Sequence, residues 1–253
     1  MEISAYGTSS VGRKRTNNED AFAILPDHHL YIVTDGMGGH SAGEVAAQLA
    51  VQQIIAFFEK HSLDEDSTWP YPYDDQLSFA ANKIRTAIAL ANDHIQAYSS
   101  EHPESKGMGT TVVAALVNGE QLVISHVGDS RAYLFSGGTL ASLTADHSWV
   151  SEQVRMGLLT ESEASHHPLR NVITKALGTK DQAEADIMDV SLAVGDRVLL
   201  CTDGLNSMAE DGEIAEVLSR SATLEKTCHD LIDLANNKGG EDNITVVLLE
   251  RTA

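Results

Sequence analysis

The sequence predicts an α+β protein built in layers, with antiparallel sheets covered by helices. Strand-like segments come in consecutive runs, helical patterns are grouped before, between and after them, and regular strand-helix alternation is not seen. Several strand candidates are short apolar runs suited to burial. The 253-residue chain, 42% apolar, is long enough to bury a substantial core within one compact domain.

The first such run is Leu30–Thr34. Gly43–Phe58 then carries apolar residues at three- and four-residue spacing with an alanine-rich face, which predicts a closely packed helix; Gln76–Tyr98 repeats the pattern. Between them Leu63–Asp75, with Asp64, Glu65, Asp66, Asp74 and Asp75, predicts a polar loop. Thr111–Val117 and Gln121–Val127 are the next strands, followed by Ala132–Phe135 and Leu140–Leu143, with turns at Gly128-Asp129 and Gly137-Gly138. Ser148–Arg170, rich in Ser, Glu and His, predicts short surface helices; Arg197–Cys201 and Asn243–Leu249 are the last strands.

Bulk properties exclude several classes. A net charge of −20 makes a nucleic-acid partner improbable, since that binding mode depends on clustered Lys and Arg displacing counterions. Met1–Tyr6 shows no basic start followed by an apolar run, and no apolar stretch approaches the roughly 20 residues that span a bilayer. No membrane association and a cytoplasmic location are therefore expected. Cys201 and Cys228 alone predict no disulfide framework, consistent with a reducing compartment.

Three places share one design, an apolar strand running into an aspartate with a neighbouring glycine: Ile32–Gly36 around Asp35, Leu199–Gly204 around Asp203, and His126–Asp129. One strand ending in Asp-Gly is an ordinary turn. Three of them, joined by Asn18-Glu19-Asp20 before an apolar segment and Gly240-Glu241-Asp242-Asn243 before the final strand, suggest a common purpose. Carboxylates fixed at neighbouring strand ends repel one another, and burial raises their pKa values, unless cations sit among them. Mg²⁺ and Mn²⁺ accept oxygen ligands in octahedral geometry and keep several waters, so a few aspartates and a backbone carbonyl suffice. The eleven histidines contain no zinc-binding His-Glu-x-x-His pattern, and most are expected at the surface.

The ordered set Arg15–Asp20, Asp35–His40, Gly107–Thr111, His126–Arg131, Thr144–Ser148, Cys201–Leu205 and Gly240–Thr245 resembles the PP2C (PPM) family of metal-dependent protein serine/threonine phosphatases in its bacterial form. Each segment is weak alone; seven in order, spanning nearly the whole chain, are specific. The resemblance implies a four-layer α-β-β-α sandwich, two antiparallel sheets packed face to face with helices outside, as a single domain over 1–253 with a flap at about 147–177. It implies two Mg²⁺ or Mn²⁺ ions, bridged by Asp35, with the Gly36 carbonyl on one ion and Asp203 and Asp242 on the other. Glu19 and Asp20 would approach a metal through water, and Asp129 with Asp203 would hold a third, weaker ion. Arg15 would hold the substrate phosphate, its planar fork suiting that anion. A water or hydroxide bridging the two ions would attack phosphoserine or phosphothreonine directly. The partners implied are phosphorylated proteins, substrates of a cognate Ser/Thr kinase, met by a monomer.

One departure concerns the leaving group. Many eukaryotic relatives carry His directly after the Asp-Gly pair, whereas this chain has Met37, with His40 three residues on. His40, a metal-bound water or nothing protonates the departing alkoxide.

Rival chemistries lack their context. Asp64–Thr68 spells D-x-D-x-T but does not follow an apolar strand that would present a nucleophile. Neither cysteine opens a C-x5-R loop, the sixth residues on being Ser207 and Leu234. Gly128–Ala132 misses the nucleophile elbow, leaving Ser130 as a turn residue. No P-loop or dinucleotide fingerprint is present. A catalytically dead module that only binds phosphoproteins would be expected to lack metal carboxylates, and Asp35, Asp203 and Asp242 are all there.

Overall fold

The structure is a computed structural model that describes residues 1–39, 42–61, 70–179, 184–220 and 223–253. His40 and the D-x-D-x-T segment lie outside the described residues, as does most of the acidic loop, of which 70–75 are described. In chain order the elements are β1 (Ile3–Ser10), β2 (Asp20–Leu25), β3 (Leu30–Met37), α1 (Ala42–Lys60), α2 (Phe79–Glu101), β4 (Gly109–Thr110), β5 (Val112–Asn118), β6 (Gln121–Val127), β7 (Arg131–Ser136) and β8 (Thr139–Ser142). They continue with α3 (Trp149–Arg155), α4 (Glu161–Ser165), β9 (Asp186–Ser191), β10 (Arg197–Cys201), α5 (Asp203–Asn206), α6 (Asp211–Arg220), α7 (Leu224–Asn237) and β11 (Ile244–Arg251).

Two antiparallel sheets result, one in the order β1-β11-β10-β7-β8, the other β2-β3-β5-β6-β9 with β4 paired to β3. The alternation of side chains along each strand builds three cores from two sheets. In β3, Tyr31 and Val33 face the other sheet, where they meet Leu200 and Val247. Leu30 and Ile32 face the opposite way, toward Ile54, Ile84 and Ile88 of α1 and α2. On the far side, Leu199 and Leu248 pack under Leu205, Leu218 and Leu231 of α5, α6 and α7. This is the four-layer α-β-β-α sandwich, and it explains why the central strands are apolar along their length: both faces are buried.

Helix starts follow local chemistry. Ser78 caps α2 by accepting from the Ala81 N–H at 3.1 Å, Thr223 caps α7 through Lys226 at 3.2 Å, and Thr160 with Glu163 forms a reciprocal capping box on α4. Helix α2 begins at Phe79, three residues later than its apolar spacing suggests, because Asp74 and Asn82 use their side chains to hold the preceding turn. The Gly128–Ser130 turn carries the chain from β6 in one sheet to β7 in the other.

Candidate metal centre

The acidic residues come together where the two sheets end. Asp20 opens β2 and pairs in register with Asp35 in β3. Arg131 of β7, Cys201 of β10 and Val246 of β11 are register partners, so the segments just beyond them, with Asp129, Asp203 and Asp242, emerge at one end. Asp35 feels the charges of Asp20, Asp203, Asp129 and Asp242. Sequence neighbours thus contribute little; strand register does the gathering.

Each aspartate is held by groups that the strands supply. The Asp35 N–H donates to Thr111 Oγ1 at 3.0 Å, its carbonyl accepts from the Thr111 N–H and Thr110 hydroxyl at 2.9 Å, and Ser130 Oγ stands 2.7 Å from Thr111 Oγ1. Ser130, expected as a turn residue, is therefore also a buried brace. Asp20 Oδ2 accepts from Thr202 at 3.0 Å and Thr245 at 2.7 Å. Asn243 Oδ1 accepts from the Glu19 N–H at 2.8 Å while its amide donates to the Val11 and Asn17 carbonyls at 2.9 and 3.0 Å. The loop bearing Arg15 and Glu19 is thereby tied to the residue after Asp242. These bracing hydroxyls and amides were not assigned from sequence; their signal was adjacency, since Thr111, Thr202, Asn243 and Thr245 all sit within the motifs that carry the acids.

Two glycines allow the close packing. A β-carbon at Gly36 would lie 2.0 Å from the Gly43 carbonyl oxygen, and one at Gly204 would lie 1.9 Å from that of Asn243. Glu19 lies beside the first turn of α1, where a side chain at Gly43 would strike its carboxylate. Arg15, more than half exposed, donates to Asp242 Oδ2 at 2.7 Å and leans over the acids.

The electrostatics are those of an anionic cluster in want of cations. Burial first, and then the charges of Asp203 and Asp242, push Asp20 up to about 7. Burial and Asp203 push Asp129 to about 7, while burial and Asp242 push Asp203 to about 6. Asp35 is driven well above the usual carboxylate range by burial and then by Asp20. Asp20 Oδ1 and Asp203 Oδ1 are buried without a hydrogen-bond partner. Hard oxygen donors with raised affinity for positive charge and orphaned oxygens fit divalent ions such as Mg²⁺ and Mn²⁺. The donors are spread over the sheet ends, as a centre for more than one ion requires. Among the described residues, the group whose candidate ligand atoms crowd within 4.8 Å is a different one, His126, His147 and Asp186. Its two buried histidines depart from the surface placement expected of most.

A fold of two face-to-face sheets carrying such a carboxylate cluster under an arginine defines a metal-dependent phosphoprotein phosphatase. The chain belongs to the protein phosphatase 2C family, in its bacterial form, whose family profile matches residues 7–245. It is 39% identical over 247 residues to the serine/threonine phosphatase stp of Listeria monocytogenes, covering 95% of this chain and 92% of that one. Among solved structures, serine/threonine phosphatase Stp1 from Staphylococcus aureus superposes with a TM-score of 0.90 at 36% identity, covering 100% of this chain and 96% of the other. The catalytic domain of serine/threonine protein phosphatase PstP in complex with two manganese ions superposes with a TM-score of 0.82 at 35% identity, covering 99% of both. No helix among the described residues is long and apolar enough to cross a membrane.

Proposed function

We propose that this chain hydrolyses phosphoserine and phosphothreonine in proteins, at a divalent-metal centre formed by Asp35, the Gly36 carbonyl, Asp203 and Asp242. Asp129 with Asp203 holds a further ion, and Asp20 and Glu19 act through water. The observation that carries the reading is the gathering of Asp20, Asp35, Asp129, Asp203 and Asp242 with raised proton affinities and unpartnered oxygens. The manganese-bound PstP structure supports a two-ion centre of the same kind. When bound, the ions supply an activated water at neutral pH and neutralise charge on the phosphoryl oxygens.

The protein's own residues do the rest. Asp35 is fixed by Thr110 and Thr111 so that its carboxylate cannot swing away from its neighbours. Arg15 offers a permanently charged fork at the rim, where it binds the incoming phosphate. Asp20, clasped by Thr202 and Thr245, keeps one oxygen directed into the cluster. Segment 147–177 forms a flap beside the site: Leu177 pairs with Thr110, whose hydroxyl holds the Asp35 carbonyl. The chain works as a single-domain monomer in the cytoplasm, opposing a Ser/Thr kinase, with Mn²⁺ or Mg²⁺ as the ion.

The test is a titration of Mn²⁺ and of Mg²⁺ against turnover of a phosphothreonine peptide, with Asp35→Asn beside the wild type and a panel of small phosphoesters for comparison. Metal-dependent peptide hydrolysis, abolished by chelator and by Asp35→Asn, is expected. Preference for a nucleotide or sugar phosphate over every phosphopeptide would overturn the substrate assignment.

A further inference from the structure

Segment 147–177 leaves and re-enters the sandwich at one small polar cluster, and the cluster has a clear direction of hydrogen bonding. His147 begins the segment. Its backbone N–H donates to the Gly128 carbonyl at 2.9 Å, and its Nδ1 accepts from the Gly128 N–H at 3.1 Å, so both polar groups of the residue before Asp129 are held by one histidine. With a lone pair required at Nδ1, the neutral ring carries its proton on Nε2. That Nε2 is buried, lies 3.3 Å from Asp186 Oδ2 and has no other partner. Burial and the neighbouring His126 lower the pKa of His147, which keeps the ring neutral.

The other end of the segment returns to the same carboxylate. Lys175 Nζ lies 3.6 Å from Asp186 Oδ1, and the Thr174 N–H donates to the His147 carbonyl at 2.8 Å. Asp186 opens β9, which pairs with β6, and its register partner there is His126. His126 stacks on His147 with ring centroids 4.7 Å apart and directs Nε2 at the Ala145 carbonyl, 3.0 Å away. Both Nε2 atoms therefore bear protons. A transition metal at this cluster needs bare nitrogens facing the ion, and these rings turn N–H groups toward oxygen instead.

One exposed carboxylate on a rigid strand thus touches both roots of the segment, and one of those roots sets the turn that bears Asp129. Beyond the roots, the segment turns Met156, Leu158, Leu169 and Val172 outward, a surface that a protein substrate would reach and a p-nitrophenyl ester would not. We propose that Asp186 is a positioning residue which, through His147 and Lys175, fastens both ends of segment 147–177 and so governs how phosphoproteins, as distinct from small phosphoesters, are received. This rests on the phosphoprotein reading given above.

The experiment compares wild type with Asp186→Ala, Asp186→Asn and Lys175→Ala at saturating Mn²⁺, using phosphocasein and p-nitrophenyl phosphate, together with amide hydrogen exchange. For Asp186→Ala, the KM for phosphocasein rises by about fivefold, the scale of one lost charged hydrogen bond, while kcat on p-nitrophenyl phosphate stays within about twofold. Exchange quickens at both 147–157 and 170–177 but not in β5 and β6. Asp186→Asn, which keeps an oxygen for His147, and Lys175→Ala fall between, so the result stands even if the alanine variant folds poorly. An unchanged phosphocasein KM in all three, or parallel loss of kcat on both substrates, overturns the proposal. So does Zn²⁺ retained by wild type and lost in Asp186→Ala. A wild type that ignores phosphocasein strikes the functional reading, whereas a normal wild type with silent variants strikes only this one.

Discussion

Asp20 is the residue at which removal of one charge has the most informative consequence. Its carboxyl moves from an ordinary 3.8 to about 7 on folding, owing first to burial and then to Asp203 and Asp242, against the pull of the Thr245 and Thr202 hydroxyls. A raised native pKa means that between about pH 4 and 7 the folded state binds the extra proton. Without divalent ions, stability therefore falls as pH rises through that window, and the full cost is present above about pH 7. At about 1.4 kcal/mol per pH unit the shift corresponds to about 4 kcal/mol. Asparagine removes the charge but weakens the bonds to Thr202 and Thr245, which returns about 1–2 kcal/mol. In chelator at pH 8, Asp20→Asn is thus about 2 kcal/mol more stable than wild type, or about 4–8 °C higher in melting temperature. At pH 4.5 the advantage shrinks to near zero, because the wild-type carboxyl is protonated. Added Mn²⁺ stabilises wild type more than the variant, since the charge is then wanted. Thermal melts at the two pH values, with chelator and with Mn²⁺, measure this. An Asp20→Asn protein no more stable than wild type at pH 8 in chelator, or equally favoured at both pH values, would refute the electrostatic reasoning.

Gly204→Ala sets a methyl 1.9 Å from the Asn243 carbonyl oxygen and Gly36→Ala sets one 2.0 Å from that of Gly43; each is expected to lose at least about 3 kcal/mol by chemical denaturation, as overpacking against backbone does. Asn243→Ala breaks the three bonds that tie the 11–19 loop and is expected to cost about 2–3 kcal/mol in a urea melt, with a raised KM because Arg15 loses its anchorage. Arg15→Ala raises KM for a phosphothreonine peptide about tenfold, whereas Arg15→Lys recovers only part of it; steady-state kinetics at saturating Mn²⁺ decides.

The parts of the fold that could be read from sequence are those where burial leaves a continuous mark. Leu30–Thr34, Val112–Val117 and Leu199–Cys201 lie between two apolar layers and announce themselves as strands. Strand β9 does not, because most of its residues face solvent, and β1 mixes serine and threonine with half-buried residues. Helix α7 had an available signal in the spacing of Leu224, Cys228, Leu231 and Ala235, behind a Thr223 cap, which was not used to delimit it. Asp35, Asp129 and Asp203 stood out because glycine accompanies an acid wherever a strand must turn at once. Their mutual proximity could not be read from spacing, since it depends on Asp20 falling opposite Asp35 and on the turn from β6 crossing between sheets. His126 and His147 were passed over for the same reason: 21 positions apart in sequence, they stack only once that crossing is made.

Manganese binding to the wild type and to Asp35→Asn, counted by isothermal titration and paired with turnover of a phosphothreonine peptide in the same samples, bears most directly on whether the five aspartates share divalent ions. The account predicts at least two Mn²⁺ per wild-type chain, fewer and weaker in Asp35→Asn, with hydrolysis lost alongside. An Asp35→Asn protein that binds Mn²⁺ with the same stoichiometry and affinity and still dephosphorylates the peptide would contradict it.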